Sequence, residues 1–414
     1  MTSPPIVALV ALSLCTACGA KSALDEHRSD TPERDASTSD SGPRDSGAGL
    51  GDMGSRVDLG SDFGTPDLGP PTMPCVTSCE FCRPRGPAVV LSEDWGQMPD
   101  PEWDGEKLLV AYDLRSPELV ALVAVELDGT ILWNEPIRGI QLPRVAFDRE
   151  AGAGLVIFDG GLQWLGADGR PLGMVERLPP FANVSGEVAV TESGFLTMFA
   201  RLSGPLHFHR VGRVPEPVRF GDVLEPRGSL TPEHVVDAAG RATFIVTSEF
   251  DASGSEGSSA LYRVGASGPP ELVADLGERG VVTGLETGPD GSFYLLRRGV
   301  PPETFSLGLE RIERSGAVLS RTEFPSRALR QQLLRLGDSL VFTTTDEAIE
   351  GGSLVCANVR DPSSFTTTPY TEAPTPGSPR MVRVPRGFAI TWGASDPPEF
   401  VQPMLQVYDC CVPE

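Results

Sequence analysis

Two groups of cysteines carry the chain's most conspicuous chemistry. Cys75, Cys79 and Cys82 lie within eight positions of one another, and Cys356, Cys410 and Cys411 lie far downstream. Three closely spaced thiolates can ligate a metal or an iron–sulfur cluster. In an oxidising compartment the same thiols form disulfides instead, and an even number favours that outcome, although spacing alone leaves the connectivity open. A bridge between the adjacent Cys410 and Cys411 would be strained. Both are therefore expected to reach into the 75–82 group, which leaves Cys356 for its third member.

Other constellations are weaker. His207 and His209 alternate on one face of a strand, but the only further histidines are His27 and His234, too few for a zinc site of imidazoles. The segment 251–257 alternates oxygen-bearing residues like a calcium loop, yet Glu256 stands where such loops need Gly. These two read as strand-surface histidines and a solvated inter-strand loop. No nucleophile elbow, H-E-x-x-H helix or phosphate-binding loop is present in the sequence.

These residues must be positioned by short strands. Turn signals at 104–107, 148–154, 191–194, 237–240, 288–291, 336–338 and 384–387 each run into an apolar strand. Between them falls a second kind of hairpin, as at 124–133, 163–175 and 310–320. The stretch 285–324 displays the whole unit: strand, turn, strand, loop, strand, turn, strand. Its recurrence at roughly 45-residue spacing predicts an all-β fold, a β-propeller of about seven four-stranded blades. Six or eight blades and a two-domain β-sandwich remain alternatives. The last repeat stops one strand short, and the strand candidate 86–92 is expected to complete it, so that the two termini close the ring.

In such a ring the innermost strand of each blade precedes the first turn. Polar residues there include Arg144, Glu187, Glu233, His234, Glu286, Arg327, Arg330, Arg380 and Arg383. Charges from different blades converge on the central channel, a candidate ligand pocket. The excess of arginine favours an anionic ligand over a metal, and no cofactor is expected.

The rest of the chain divides by composition. Residues 1–18 carry an apolar run at 6–14 that is too short to span a bilayer and fits a signal segment. Thr16, Ala17, Cys18 and Gly19 resemble the lipobox of bacterial lipoproteins. That resemblance implies acylation of Cys18 and a membrane tie through the lipid, although the first residues lack Lys and Arg and Cys15 stands where the family prefers Leu. A plainly secreted protein is the alternative. Residues 19–74, rich in Asp, Ser, Gly and Pro, cannot bury enough apolar surface to order themselves and are read as a tether. A cysteine-rich segment, 75–85, precedes the propeller domain, 86–414. The net charge of −23 excludes nucleic acid as a natural partner.

Two further resemblances concern motifs. The 75–82 spacing is similar to the cluster motif of radical S-adenosylmethionine enzymes, and is set aside because the chain is exported and the downstream pattern is all-β. Asp128, Gly129 and Trp133 resemble the quinoprotein-type repeat of outer-membrane assembly lipoproteins and alcohol dehydrogenases, in one repeat only. The expected role is a binding or scaffolding module at the cell envelope, with protein or glycan as partner. The alternative is a propeller enzyme of lyase, glycosidase or lactonase type.

Overall fold

A computed structural model describes residues 75–413, apart from 94–95, 117–118, 178–185, 201–205, 216–222, 225–232, 237–241, 251–256, 278–279, 300–305, 326–330, 347–348, 372–376 and 396–400. The chain divides into two units, Met1–Asp67 and Leu68–Glu414, and every described residue belongs to the second. Cys18, the segment 19–74, Arg327, Arg330 and the loop 251–256 lie outside the described residues.

Each repeat folds into an antiparallel sheet. Blade 5 shows the pattern: Val281–Thr287, Phe293–Arg298, Ser306–Ile312 and Val318–Pro325, innermost to outermost. The innermost strands of blades 1 to 4 are Gly96–Trp103, Ile140–Asp148, Gly186–Thr191 and Glu233–Val236. Those of blades 6 and 7 are Leu333–Leu336 and Gly377–Val384. Each innermost strand packs against that of the next blade, and the seventh packs against the first. The result is a closed seven-bladed propeller.

Alternation along the second strand explains why the ring holds. In Leu108–Leu114, side chains at 108, 110 and 112 point to one side and join Val384, Ala389 and Leu405 of blade 7. Leu109 and Ala111 point to the other side and join Val145, Phe147 and Val156 of blade 2. Both faces are therefore buried, which is why these strands read as unbroken apolar runs rather than alternating ones. Seven such clusters are formed, one between each pair of successive blades.

Blade 7 is completed from the other end of the chain. Its third strand, Val401–Asp409, pairs on its open edge with Arg83–Pro84 and Val89–Val90. The closing segment begins three residues before the expected 86–92 and is split into two short pieces. The residues between them, 85–88, include Pro87, which has no N–H to give to a ladder. Just outside, Cys75–Thr77 pairs with Cys411–Pro413. Disulfides join Cys79 to Cys356 and Cys82 to Cys410, and Cys411 is disulfide-bonded as well. One 3-10 turn, Cys79–Phe81, is the only helical element among the described residues.

Candidate functional site in the central channel

The first turn of each blade sets the register of the channel. Asp104 accepts the backbone N–H groups of Glu106 and Lys107, and Asp148 accepts those of Glu150 and Ala151. These Asx turns fix where each innermost strand ends. Four residues upstream of each lie Asp100 and Arg144, and four residues before Thr191 lies Glu187. The equivalent position in blade 7 is Arg380. Bulges interrupt the innermost strands just before Asp100, Arg144 and Arg380, with Met98, Gln141 and Leu142 at positive φ. Such bulges re-aim the next side chain.

Four blades thereby meet in one ion network. Arg144 Nε donates to Glu187 Oε1 at 3.0 Å, and Arg380 Nη2 donates to the same oxygen at 2.8 Å. Both guanidiniums also lie 4.0 Å from Asp100 Oδ1, while Asp100 Oδ2 accepts the N–H of Val145 at 2.9 Å. Burial disfavours the charge of Glu187, but Arg380 and Arg144 outweigh it and hold the carboxyl down at about 2. Burial also opposes the charge on Arg380, and Glu187 and Asp100 overcome it and raise its pKa. Asp100 is moved up by burial against the pull of Arg144 and Arg380.

Blade 4 contributes two groups of a different kind. Glu233 and His234 start its innermost strand and pair through their backbones with Val246 and Ile245; their side chains are half-buried and form no hydrogen bond with another described side chain. Burial pushes Glu233 up to about 8, with Glu187 adding to the shift and Arg380 opposing it. Burial pushes His234 down, and Arg380 and Arg144 assist against Glu187. At neutral pH the structure thus holds a protonated carboxyl and a neutral imidazole beside a saturated ion network.

The polar belt continues through the remaining blades. Thr283 Oγ1 donates to Gln331 Oε1 at 3.0 Å, and Gln332 Oε1 accepts the N–H of Met381. A second tier sits nearer the first turns: Arg383 Nη2 donates to Glu286 Oε1 at 2.6 Å, and Arg335 gives its backbone N–H to the same oxygen.

Of the residues expected to converge, Arg144, Glu187, Glu233, His234 and Arg380 share one cluster, and Glu286 with Arg383 forms the second tier. Asp100 was not among them. Its signal is the count of four back from Asp104, hidden by the flanking Pro99 and Pro101, which argue against a strand. His209 is not a surface histidine: it is buried and lies 5.8 Å, centroid to centroid, from the ring of Phe199. No group of three or more metal-ligating side chains occurs among the described residues, nor does a helix long and apolar enough to cross a membrane.

Comparison with known proteins adds little to this geometry. No family model matches the chain, and no curated protein matches it. Among solved structures it is similar to the crystal structure of Kluyvelomyces marxianus Hsv2, at 10% identity and a TM-score of 0.38 over 64% of this chain and 80% of that one. The propeller assignment rests on the strand pairing and the seven interblade clusters, not on this likeness.

Proposed function

We propose that the protein is an exported, lipid-anchored propeller that acts as a binding module at the cell envelope, with a glycan or protein as its partner and the channel as its site. The disulfides support export, because such bonds persist in oxidising compartments. The lipobox-like Thr16, Ala17, Cys18 and Gly19 support the anchor. One observation carries the choice of ligand. Arg144, Arg380 and Arg383 are each committed to a carboxylate, so they do not form a cationic trap, whereas the side chains of Glu233 and His234 hydrogen-bond to no other described side chain and offer uncharged hydrogen-bonding groups. Hydroxyl-rich neutral ligands suit such a surface better than phosphate or sulfate. A thermal-shift screen with neutral oligosaccharides, anionic sugars and divalent metals tests this. Stabilisation by neutral oligosaccharides is the expected result, and stabilisation by anionic sugars or metal alone overturns it.

A second reading has its own observation. Glu187 is held ionised and Glu233 protonated within one channel, and paired carboxyls with separated pKa values are the usual acid–base arrangement of hydrolases and lyases. Release of product from a stabilising oligosaccharide, abolished by Glu233→Gln, would favour the enzyme. Binding without turnover favours the module.

A further inference from the structure

A cleft outside the channel opens between blades 4 and 5. It holds about 280 Å³ and is lined by Asp275, Leu276, Arg297, Glu310, Ile312 and Val318. Asp275 and Leu276 belong to the outermost strand of blade 4, Glu271–Gly277. The others come from the second, third and outermost strands of blade 5.

Two of these strands carry charge into an apolar seam. Phe293, Leu295 and Ile312 sit in the cluster between blades 4 and 5, and alternation puts Arg297 and Glu310 on the same faces. Both are almost wholly buried, at 3% and 1% exposure. Arg297 Nε donates to Glu310 Oε2 at 3.1 Å, and its Nη1 donates to Gly280 O at 3.1 Å. Glu310 Oε1 is buried and accepts no hydrogen bond. Arg321 Nη1 lies 3.4 Å from it without hydrogen-bond geometry, and Arg321 Nη2 reaches Glu323 at 3.0 Å instead. A buried carboxylate oxygen left without a donor costs free energy. Apolar replacement of such a pair is often neutral or stabilising, so packing alone does not account for it. Asp275 brings a second acceptor: its Oδ1 takes the N–H of Gly277 at 2.8 Å, which leaves Oδ2. Leu276, Ile312 and Val318 make the remaining walls apolar.

We propose that this cleft receives a lysine side chain of a partner protein, its aliphatic stem against Leu276, Ile312 and Val318 and its ammonium on Glu310 Oε1 and Asp275. The acceptors decide between the basic side chains. Each carboxylate has one oxygen left, and two single acceptors suit a compact ammonium with three rotatable donors. A guanidinium fork is matched by both oxygens of one carboxylate. A calcium ion takes six to eight oxygens, more than the cleft's carboxylates supply. The net charge of −23 draws basic partners towards the molecule. Of the chain's own two lysines, Lys107 is bound to Asp104 at 2.7 Å, and Lys21 precedes the described residues. The inference does not rest on the channel reading.

The test titrates the full chain, at fixed low ionic strength, into a fluorescent, N-acetylated peptide amide with one lysine among glycines, followed by anisotropy. Saturable binding is expected, weakened at least about fivefold when Nε-acetyl-lysine or arginine replaces the lysine. Asp275→Asn keeps an acceptor for Gly277 and is expected to weaken binding about fivefold. Val318→Trp, which fills the cleft, is expected to abolish it. Glu271→Gln, on the same strand outside the cleft, and Glu233→Gln in the channel are expected to leave it unchanged. No binding by the wild type, equal binding of the arginine peptide, or equal loss in Glu271→Gln, as general attraction to an acidic surface would give, overturns the inference. So does binding that appears only in Lys21→Met, which would mean that the chain's own lysine fills the cleft.

Discussion

Glu187 is the residue on which the channel depends. It receives two guanidiniums from blades 2 and 7 and is nearly inaccessible to solvent. Its removal leaves two buried cations facing each other, so Glu187→Ala is expected to destabilise the fold by about 3–5 kcal/mol in urea denaturation. The pH dependence follows from opposite signs. Glu187 falls from an ordinary 4.5 to about 2 on folding, so its contribution is present above 4.5 and is lost as pH falls towards 2. Glu233 rises from 4.5 to about 8, so the folded state keeps its proton longer. Its effect is most favourable below 4.5 and is lost as pH rises through 8. Burial lifts Glu102 in blade 1 to about 8 as well, and Asp113 and Asp159 to about 6, so stability is expected to decline between pH 5 and 8 on a steepness set by these carboxyls together. Glu233→Gln should flatten part of that decline in a series of melts at fixed ionic strength, and an unchanged slope would contradict the assignment.

At the level of the elements, the turns and seams govern the fold. Gly194 turns the first hairpin of blade 3 at φ +130°, and a Cβ there would meet Val211 O at 2.3 Å. Gly194→Ala is expected to cost on the order of 1–3 kcal/mol, read as a lowered melting temperature with an unaltered circular-dichroism spectrum. The first turns were legible because Asp-Gly and Gly-Pro-Asp-Gly have few other uses, and the apolar runs behind them because strands buried on both faces are built mainly from apolar residues. The innermost strands were harder. Their proline-rich and bulged starts, as in Gly96–Trp103 and Ile140–Asp148, break the period of two; Asp100 was hidden between Pro99 and Pro101, whereas Arg144 was legible because the apolar Val145, Ala146 and Phe147 follow it. The burial of His209 was also hidden, since alternation gives the face of a side chain but not the neighbour that covers it.

For the whole molecule, the ring has one seam that the chain does not cross continuously, between blade 7 and its borrowed outer strand. Cys82–Cys410 ties that strand to the end of the blade, and Cys79–Cys356 ties the same segment to blade 6. Closing loops of 328 and 277 residues restricts the unfolded chain greatly. The paired replacement Cys82→Ser with Cys410→Ser is expected to lower stability by about 3–4 kcal/mol, because Cys79–Cys356 still closes most of the long loop. It should also make cleavage within 83–90 the first event under limited proteolysis. Ring closure was legible because the repeats run one strand short at the C-terminus and a spare strand stands at the other end. The ligand was not legible, because charge counts along the innermost strands do not reveal which charges cancel. That cancellation defines the central claim proposed above: the arginines hold the ring, and Glu233 with His234 is the surface offered to a ligand. The most direct test is isothermal titration of a stabilising neutral oligosaccharide into the wild-type protein, Glu233→Gln and Arg383→Gln. Loss of at least about tenfold in affinity for Glu233→Gln, equivalent to roughly 1.4 kcal/mol, with Arg383→Gln unchanged, is predicted. Full affinity in Glu233→Gln together with loss in Arg383→Gln would contradict the account.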